Sequence, residues 1–240
     1  LIGGLVGDAL TDGVENVALG YNSLGADTRG SKSVAIGKEA LKVQNQTGSV
    51  STHNVAVGFK AGVAVTTGRL NTLIGSEVGD ALTDADKNTA IGYTALSTDT
   101  LGSQSTAVGY QALFSQNFTT ATNSNNVAVG YNAGPAVTTG IQNTLTGALA
   151  GAAITTGTNN VAFGYNALGA SQTGTHNTAV GNSALGNQNV SGANFNTAVG
   201  AGAGSQVTSG VNNTLIGAAS GDALTVGNSN TAVGQNSLGN

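Results

Sequence analysis

The sequence predicts an all-β fold, a repetitive β-solenoid or β-roll with about 17 residues per turn. Three observations lead to this prediction. A five-residue pattern recurs along the chain, its spacing is nearly constant, and the 240 residues include 38 glycines but one proline. A helical solenoid needs two helices, about thirty residues or more, in each repeat. Short repeats rich in Gly, Thr, Val and Asn fit a single coil of β-structure instead.

The recurring pattern is Asn or Ser, Val or Thr, Ala or Leu, an apolar residue and Gly, as in Asn126-Val-Ala-Val-Gly130. Ten of the 13 intervals between its glycines have the same length of about 17 residues, and three are longer by two or four positions. We call these residues the anchor glycines and predict that each allows a bend or a close backbone approach. After Gly3 in a partial first copy, they are Gly20, Gly37, Gly58, Gly75, Gly92, Gly109, Gly130, Gly147, Gly164, Gly181, Gly200, Gly217 and Gly234.

Four turns form a larger unit of about 72 residues. Gly3, Gly75 and Gly147 follow one another at this interval, Gly217 follows at nearly the same interval, and each has Leu two positions before it where other copies have Ala. We name the four turns A to D, beginning with these. The longer intervals follow the C turns, at Gly37, Gly109 and Gly181, and predict projecting loops such as 114–125. We expect one continuous array over residues 1–240, a segment of a longer fibre, with super-repeats at about 1–72, 73–144 and 145–214 and a partial one at 215–240.

Each copy of the pattern predicts a short strand. Its β-branched residue and the large residue before the glycine lie two apart, so they share one face, which we expect to point inward. The large residues include Leu19, Ile36, Val57, Ile91, Val129, Phe163 and Val233. The small residue between them would face outward, and an outer apolar stripe predicts packing between chains and a homo-oligomer. This stripe includes Ala18, Ala56 and Ala128, with Leu1, Leu73, Leu145 and Leu215 in the A turns.

A second apolar position follows the anchor glycine and differs between two kinds of turn. In B and C turns it lies four residues on, at Leu24, Leu41, Leu96, Leu113, Leu168, Leu185 and Leu238. In D and A turns Gly occupies that place, and the large residue lies seven residues on, at Val65, Leu82, Val137, Ile154, Val207 and Leu224. We therefore predict turns with two kinds of corner.

Composition excludes several classes of function. The seven basic residues all lie between Arg29 and Lys87, and the formal net charge is -4, which argues against nucleic-acid binding. No apolar run is long enough to span a membrane, and there is no cysteine. No acid pair, Ser/His/Asp set or phosphate loop recurs, so the sequence predicts no enzyme and no catalytic or cofactor-binding residue.

The Asn at the start of the pattern is the most regular polar position. Stacked side-chain amides can hydrogen-bond from turn to turn, so we predict a structural ladder here rather than a row of glycan-binding groups. Ser33 and Ser105 replace Asn in two turns. The ladder residues are Asn16, Asn54, Asn71, Asn88, Asn126, Asn143, Asn160, Asn177, Asn196, Asn213 and Asn230.

Aromatic residues are the candidate surface contacts. Six of them directly follow an anchor glycine at a position that is otherwise variable, which argues against a core role; they either pack against neighbouring turns or stack on sugars. Two more lie in a long loop. The eight are Tyr21, Phe59, Tyr93, Tyr110, Tyr131, Tyr165, Phe114 and Phe118.

The sequence predicts no metal site. His53 and His176 have no second type of ligand nearby, and the series Asp8, Asp80 and Asp222 is broken by Ala152. Ice binding, which some regular solenoids achieve with flat threonine arrays, is also disfavoured. Thr72, Thr89 and Thr106 share their position with Val17, Val34, Val55, Val127 and Val161, which predicts that the position is buried.

Two families resemble the repeats. Ser33-Val-Ala-Ile-Gly37 is similar to the head repeats of trimeric autotransporter adhesins, which are YadA-like left-handed β-rolls. Over nearly the full chain, segments such as Asn160-Val-Ala-Phe-Gly164 and Asn177-Thr-Ala-Val-Gly181 more closely resemble the shafts of phage tail fibres and similar surface fibres. The resemblance implies a left-handed homotrimer that is extracellular or part of a virion, with the cell surface as the alternative location.

We therefore predict a structural fibre shaft or stalk that presents a distal receptor-binding element. One alternative is a trimeric adhesin head that binds a host surface or glycan through the long loops and the aromatic residues. Another is a self-polymerising extracellular filament subunit. The expected partners are other copies of the chain and, for the adhesin, a host-surface glycan or receptor.

Overall fold

The computed structural model describes residues 1–239 and confirms the predicted fold class. Of the described residues, none lies in an α-helix, and the strands form a parallel β-solenoid of about 13 turns, each of roughly 17 residues. The chain divides into two compact units, Leu1–Ser124 and Asn125–Asn240, which are described separately.

Both units consist of very short strands. Those of the first unit are β1 (Val17–Leu19), β2 (Gly30–Ser31), β3 (Val34–Ile36), β4 (Val50–Ser51), β5 (Val55–Val57), β6 (Thr72–Ile74), β7 (Thr89–Ile91), β8 (Gly102–Ser103), β9 (Thr106–Val108) and β10 (Thr122–Asn123). Those of the second are β11 (Val127–Val129), β12 (Thr144–Thr146), β13 (Val161–Phe163), β14 (Gly174–Thr175), β15 (Thr178–Val180), β16 (Gly192–Ala193), β17 (Thr197–Val199), β18 (Thr214–Ile216) and β19 (Thr231–Val233).

In each unit the three-residue strands form the main sheet, with equivalent residues of successive turns paired. In the first unit their order is β1-β3-β5-β6-β7-β9, and in the second it is β11-β12-β13-β15-β17-β18-β19. Val161 pairs with Thr178 and Phe163 with Val180, for example. Backbone hydrogen bonds continue beyond the strands, as from Gly181 N–H to the Phe163 carbonyl at 2.8 Å. Each turn therefore fixes the register of the next.

The predicted orientation of the strands is wrong. The small residue in the middle of each strand points into the core, and the flanking residues point outward: Ala18 is 2% exposed, whereas Val17 and Leu19 are 52% and 43% exposed. The residues expected on an outer stripe, Ala18, Ala56, Ala128, Leu73, Leu145 and Leu215, are all buried, while Leu1 is exposed in the first turn. The residues expected inside, Leu19, Ile36, Val57, Ile91, Val129, Phe163 and Val233, lie on the outer surface and are half-buried to exposed.

The core of each turn has room for a large side chain on one side only, opposite a small residue, which explains this orientation. B and C turns combine a small strand residue with a buried Leu four residues after the anchor glycine, such as Leu24 or Leu168. A turns reverse the sizes. A Cβ placed on Gly62 or Gly79 would lie 2.6 or 2.9 Å from a δ-methyl group of Leu73, so this leucine fills the space that the glycines leave.

The residues predicted seven after the glycine are also in the core: Val65, Leu82, Val137, Ile154 and Val207 are buried, and Leu224 is half-buried. The predicted second apolar positions are therefore correct for the interior turns. Leu238, in the last described turn, is largely exposed.

Backbone at positive φ is a regular feature of every turn. The residue before each ladder position is left-handed although it is never glycine, as at Leu70 (φ 60°), His176 (φ 60°) and Phe195 (φ 51°). The anchor glycines have φ between 119° and 141°. A Cβ on Gly147 would lie 2.6 Å from the carbonyl oxygen of Gly164, so successive turns approach too closely there for any side chain.

The long intervals do not simply project as loops. Each contains a two-residue strand that pairs in parallel with the preceding turn, giving the pairs β2–β4, β8–β10 and β14–β16. Beneath them lie the buried amides of Gln44, Gln116 and Gln188. Asp27 and Asp99 accept hydrogen bonds from the first two of these glutamines, at 2.5 and 2.6 Å.

Candidate functional site

In each unit, the outward residues of the three-residue strands form the most regular surface. We call this surface the outer face; it consists of the first and third residue of each strand, and none of them is fully buried. In the first unit it comprises Val17, Leu19, Val34, Ile36, Val55, Val57, Thr72, Ile74, Thr89, Ile91, Thr106 and Val108. In the second it comprises Val127, Val129, Thr144, Thr146, Val161, Phe163, Thr178, Val180, Thr197, Val199, Thr214, Ile216, Thr231 and Val233.

The chemistry of the outer face is uniform. Every residue is Val, Thr, Ile, Leu or Phe, and none carries a charge or an amide. Most are β-branched, so their side chains have few accessible rotamers. Paired strands hold equivalent side chains about 4.8 Å apart along the sheet. The outer face therefore presents fixed columns of methyl and hydroxyl groups.

This arrangement overturns the argument against a threonine array. Thr72, Thr89 and Thr106 were expected to be buried because valine occupies the same column. The column is instead half-buried to exposed, and Val17 and Val161 within it are 52% and 38% exposed. Sequence reasoning missed this face because alternation shows which residues share a side but not which side is solvated.

The ladder asparagines lie on the opposite side of the backbone from the outer face, and all are buried except Asn16 and Asn230, which are half-buried. Asn143 illustrates it: its Nδ2 donates to the Gly157 carbonyl at 2.8 Å, and its Oδ1 accepts from the Asn160 backbone N–H at 3.1 Å. Its own backbone N–H donates to Asn126 Oδ1 at 2.9 Å. Most bonds along the column thus join a side chain to the backbone of the next turn.

The six aromatic residues after the anchor glycines are all exposed, and several pack along the corner. The rings of Tyr93 and Tyr110 stack with centroids 5.9 Å apart. The Nζ atoms of Lys38 and Lys60 lie 5.8 and 5.2 Å from the centre of the Phe59 ring. The charge of the neighbouring Glu77 carboxylate raises the pKa of the Tyr93 phenol above its ordinary value.

The two phenylalanines of the second long interval lie elsewhere. Phe118 is only 6% exposed, which contradicts its prediction as a surface contact, and Phe114 is half-buried. The carboxylate of Asp99 accepts the Phe118 backbone N–H at 3.1 Å, which draws this segment inward.

The remaining candidates are dispersed. His53 and His176 are exposed, and the His176 ring packs against Phe195 at 5.0 Å. Within residues 1–239, no group of three or more His, Asp or Glu side chains could hold a metal ion. In the same part of the chain, no helix is long and apolar enough to cross a membrane.

Comparison with known proteins adds no relative. No protein-family model matches the chain, and no curated protein or solved structure is significantly similar to it. The class that the structure defines is therefore the parallel β-solenoid, and arguments about function depend on its surfaces.

Proposed function

We propose that the chain is a non-enzymatic structural shaft or stalk of a phage tail fibre or extracellular surface fibre. Its copies pack together through the outer face, and the shaft presents a distal receptor-binding element outside the cell or on a virion. The resemblance noted from the repeats suggests three copies and a left-handed winding. The observation that carries the proposal is the outer face itself.

Inward, ladder and outward positions of each turn have different roles, and these roles support a structural function. Inward positions hold core side chains, and the ladder asparagines use their amides to join adjacent turns. The regular outward positions carry no charged side chain and no His that could act as a general base. Regularity of this kind matters when length and packing are the function, because every added turn extends the same surface.

A second copy of the chain is the partner that best fits the outer face. In the second unit, the outer face is about 30 Å long, because six spacings of about 4.8 Å separate its seven strands. Its two columns lie about 7 Å apart, and the breadth of their side chains brings its width to about 10 Å, so its area is about 300 Å². This area is at the lower end of the largest apolar patches on typical monomers, so the matching of side-chain rows and not the area selects the partner. The first unit has a face of the same kind. Another copy has the same turn spacing, so its side-chain rows match at every turn.

Mass measurements by light scattering at several dilutions test this proposal. We expect wild-type protein to be a stable oligomer and the Val161→Lys, Thr178→Lys variant to be a single chain, because two charges per copy would be buried without partners. Ser209→Lys, on an exposed residue outside the outer face, is the matched control. A wild-type monomer that keeps its β signal would refute packing through this face.

The threonines in the first column of the outer face favour a second candidate function, ice binding by a single chain. An uncharged face with fixed hydroxyl and methyl rows can order water in a lattice, and eight of its first-column residues are threonine. Thermal hysteresis that Thr178→Lys abolishes and Ser209→Lys leaves intact would support it. The absence of hysteresis in monomeric wild-type protein would exclude it.

A further inference from the structure

A groove of about 450 Å³, lined by residues with polar side chains, lies on the first unit beside the first long interval. Its volume is in the range of small-molecule sites. Hydroxyl, amide and guanidinium groups converge there from three successive turns. The lining residues are Thr11, Thr28, Arg29, Asn45, Gln46 and Thr47.

Hydrogen bonds within the protein fix the side chains that line the groove, and they leave some donor and acceptor atoms of these side chains available to a ligand. Thr28 Oγ1 donates to Asn45 Oδ1 at 2.9 Å, and Gln46 Nε2 donates to the Thr67 carbonyl at 3.1 Å. Arg29 Nη1 reaches the Thr47 carbonyl at 3.4 Å. Among the described residues, Asn45 Nδ2 and Gln46 Oε1 take part in no hydrogen bond, so the groove offers both a donor and an acceptor.

Arg29, the charged residue of the groove lining, is paired with a carboxylate beside the groove. Arg29 Nε lies 3.5 Å from Asp12 Oδ2, and both side chains are about half-exposed. The guanidinium is therefore already neutralised by a carboxylate, which disfavours an anion as the ligand. Neutral groups that both donate and accept hydrogen bonds fit this lining best, and vicinal hydroxyl groups have that property.

The other long intervals supply an internal comparison. The equivalent positions in the second and third super-repeats keep the Asn, as Asn117 and Asn189. They replace Arg29 by Leu101 and Thr173, and they replace Gln46 by Phe118 and Val190. The polar groove is thus a feature of the first super-repeat, whereas the shared Asn belongs to the repeat.

We infer that this groove is a binding site for a neutral saccharide. Arg29 presents charged donors to the sugar hydroxyls, with Asp12 beside the groove as its counter-charge, and Asn45 and Gln46 add an amide donor and an amide acceptor. The site goes beyond the proposed shaft function and does not depend on it. A shaft without the site would still assemble, and a monomer could still bind the sugar.

Saturation-transfer NMR on the whole chain tests the inference, with methyl α-mannoside, methyl β-galactoside, N-acetylglucosamine and N-acetylneuraminic acid as probes. We expect transfer to at least one of the three neutral sugars. Arg29→Leu should weaken that binding about tenfold or more, since a hydrogen bond to a charged group is lost. The second super-repeat already carries Leu at this position, so the variant is expected to fold.

Arg69→Leu is the matched control, because it removes an exposed guanidinium of the same unit outside the groove. It should bind like wild type. The inference is overturned if no neutral sugar receives saturation, if only N-acetylneuraminic acid does, or if Arg29→Leu binds as well as wild type.

Discussion

Replacing Leu145 by Ala should destabilise its turn by about 3–5 kcal/mol. The side chain is fully buried. Loss of about three carbon atoms costs roughly 2.4 kcal/mol at about 0.8 kcal/mol each. A cavity adds to this cost because Gly151, whose Cα lies beside the Leu145 methyl groups, has no side chain that could move into the space.

A double-mutant cycle of Leu145→Ala and Gly151→Ala tests whether these two neighbouring residues have complementary sizes. A Cβ on Gly151 would lie 2.8 Å from Leu145 Cδ2, so Gly151→Ala alone overfills the core and strains a residue at φ 60°. In the Leu145→Ala background the contacts with Leu145 are removed, while the contact with Ile154 Cδ1 at 2.9 Å remains, so the overfilling is partly relieved. We therefore expect the double variant to be about 1 kcal/mol more stable than the sum of the single changes predicts.

Native-state hydrogen exchange of the amides in β12 and β13 is the appropriate assay, because repeat arrays need not unfold as one unit. It reports the opening free energy of the affected turns. A loss below about 1 kcal/mol for Leu145→Ala, or strict additivity in the cycle, would refute the explanation by complementary sizes.

Three further predictions concern the ladder, the backbone and pH. Asn143→Ala should lower the opening free energy measured by hydrogen exchange by about 2–4 kcal/mol, since it leaves a buried N–H and a buried carbonyl unpaired. Replacement of the exposed Asn182 by Ala should lower it by less than about 0.5 kcal/mol, and equal effects would contradict a structural ladder. Leu70→Asn should stabilise the folded protein by about 0.5 kcal/mol, because Asn tolerates the left-handed region better than Leu does. Val226→Asn replaces an exposed residue that has no positive φ, so it should show no such gain in thermal unfolding. Burial raises the pKa of Asp80 above 3.8, so the charge of its carboxylate disfavours folding increasingly as pH rises through that region. The Asp80→Asn variant should therefore be more stable than wild type at neutral pH. Melting curves recorded at several pH values should show that this difference vanishes below about pH 3.8.

Much of the architecture is predictable from the sequence, because the repeat period equals the length of one turn of the solenoid. The spacing of the anchor glycines predicts the turn length, and the position of Leu168 or Ile154 relative to its glycine predicts which side chain fills each corner. These features depend on composition and spacing alone.

The direction of each strand is not predictable in the same way. Val161 and Phe163 are larger and more apolar than Ala162, so a rule based on hydrophobicity places them inside. The structure reverses this because the core already contains Leu168 from the same turn, and only a small residue fits opposite it. Size matching between residues on different sides of a turn decides the orientation.

The left-handed residues and the groove were also missed. Leu70 and Phe195 are poor residues for positive φ, so no local signal marks their conformation. The groove joins side chains from adjacent turns, such as Arg29 and Gln46, and becomes visible only when the turns are stacked. Phe118 is buried for a similar reason, because Asp99 of the preceding turn binds its backbone.

Packing of copies through the outer face is tested most directly by a single introduced cysteine, since the chain contains none. If copies pack in this way, Thr178→Cys places a thiol in the interface, and mild oxidation should give chains linked covalently, seen on non-reducing gels. Ser209→Cys, exposed but outside the outer face, should remain a 23.2 kDa single chain under the same conditions. Equal cross-linking of the two variants, or none at Thr178→Cys, would contradict packing through the outer face.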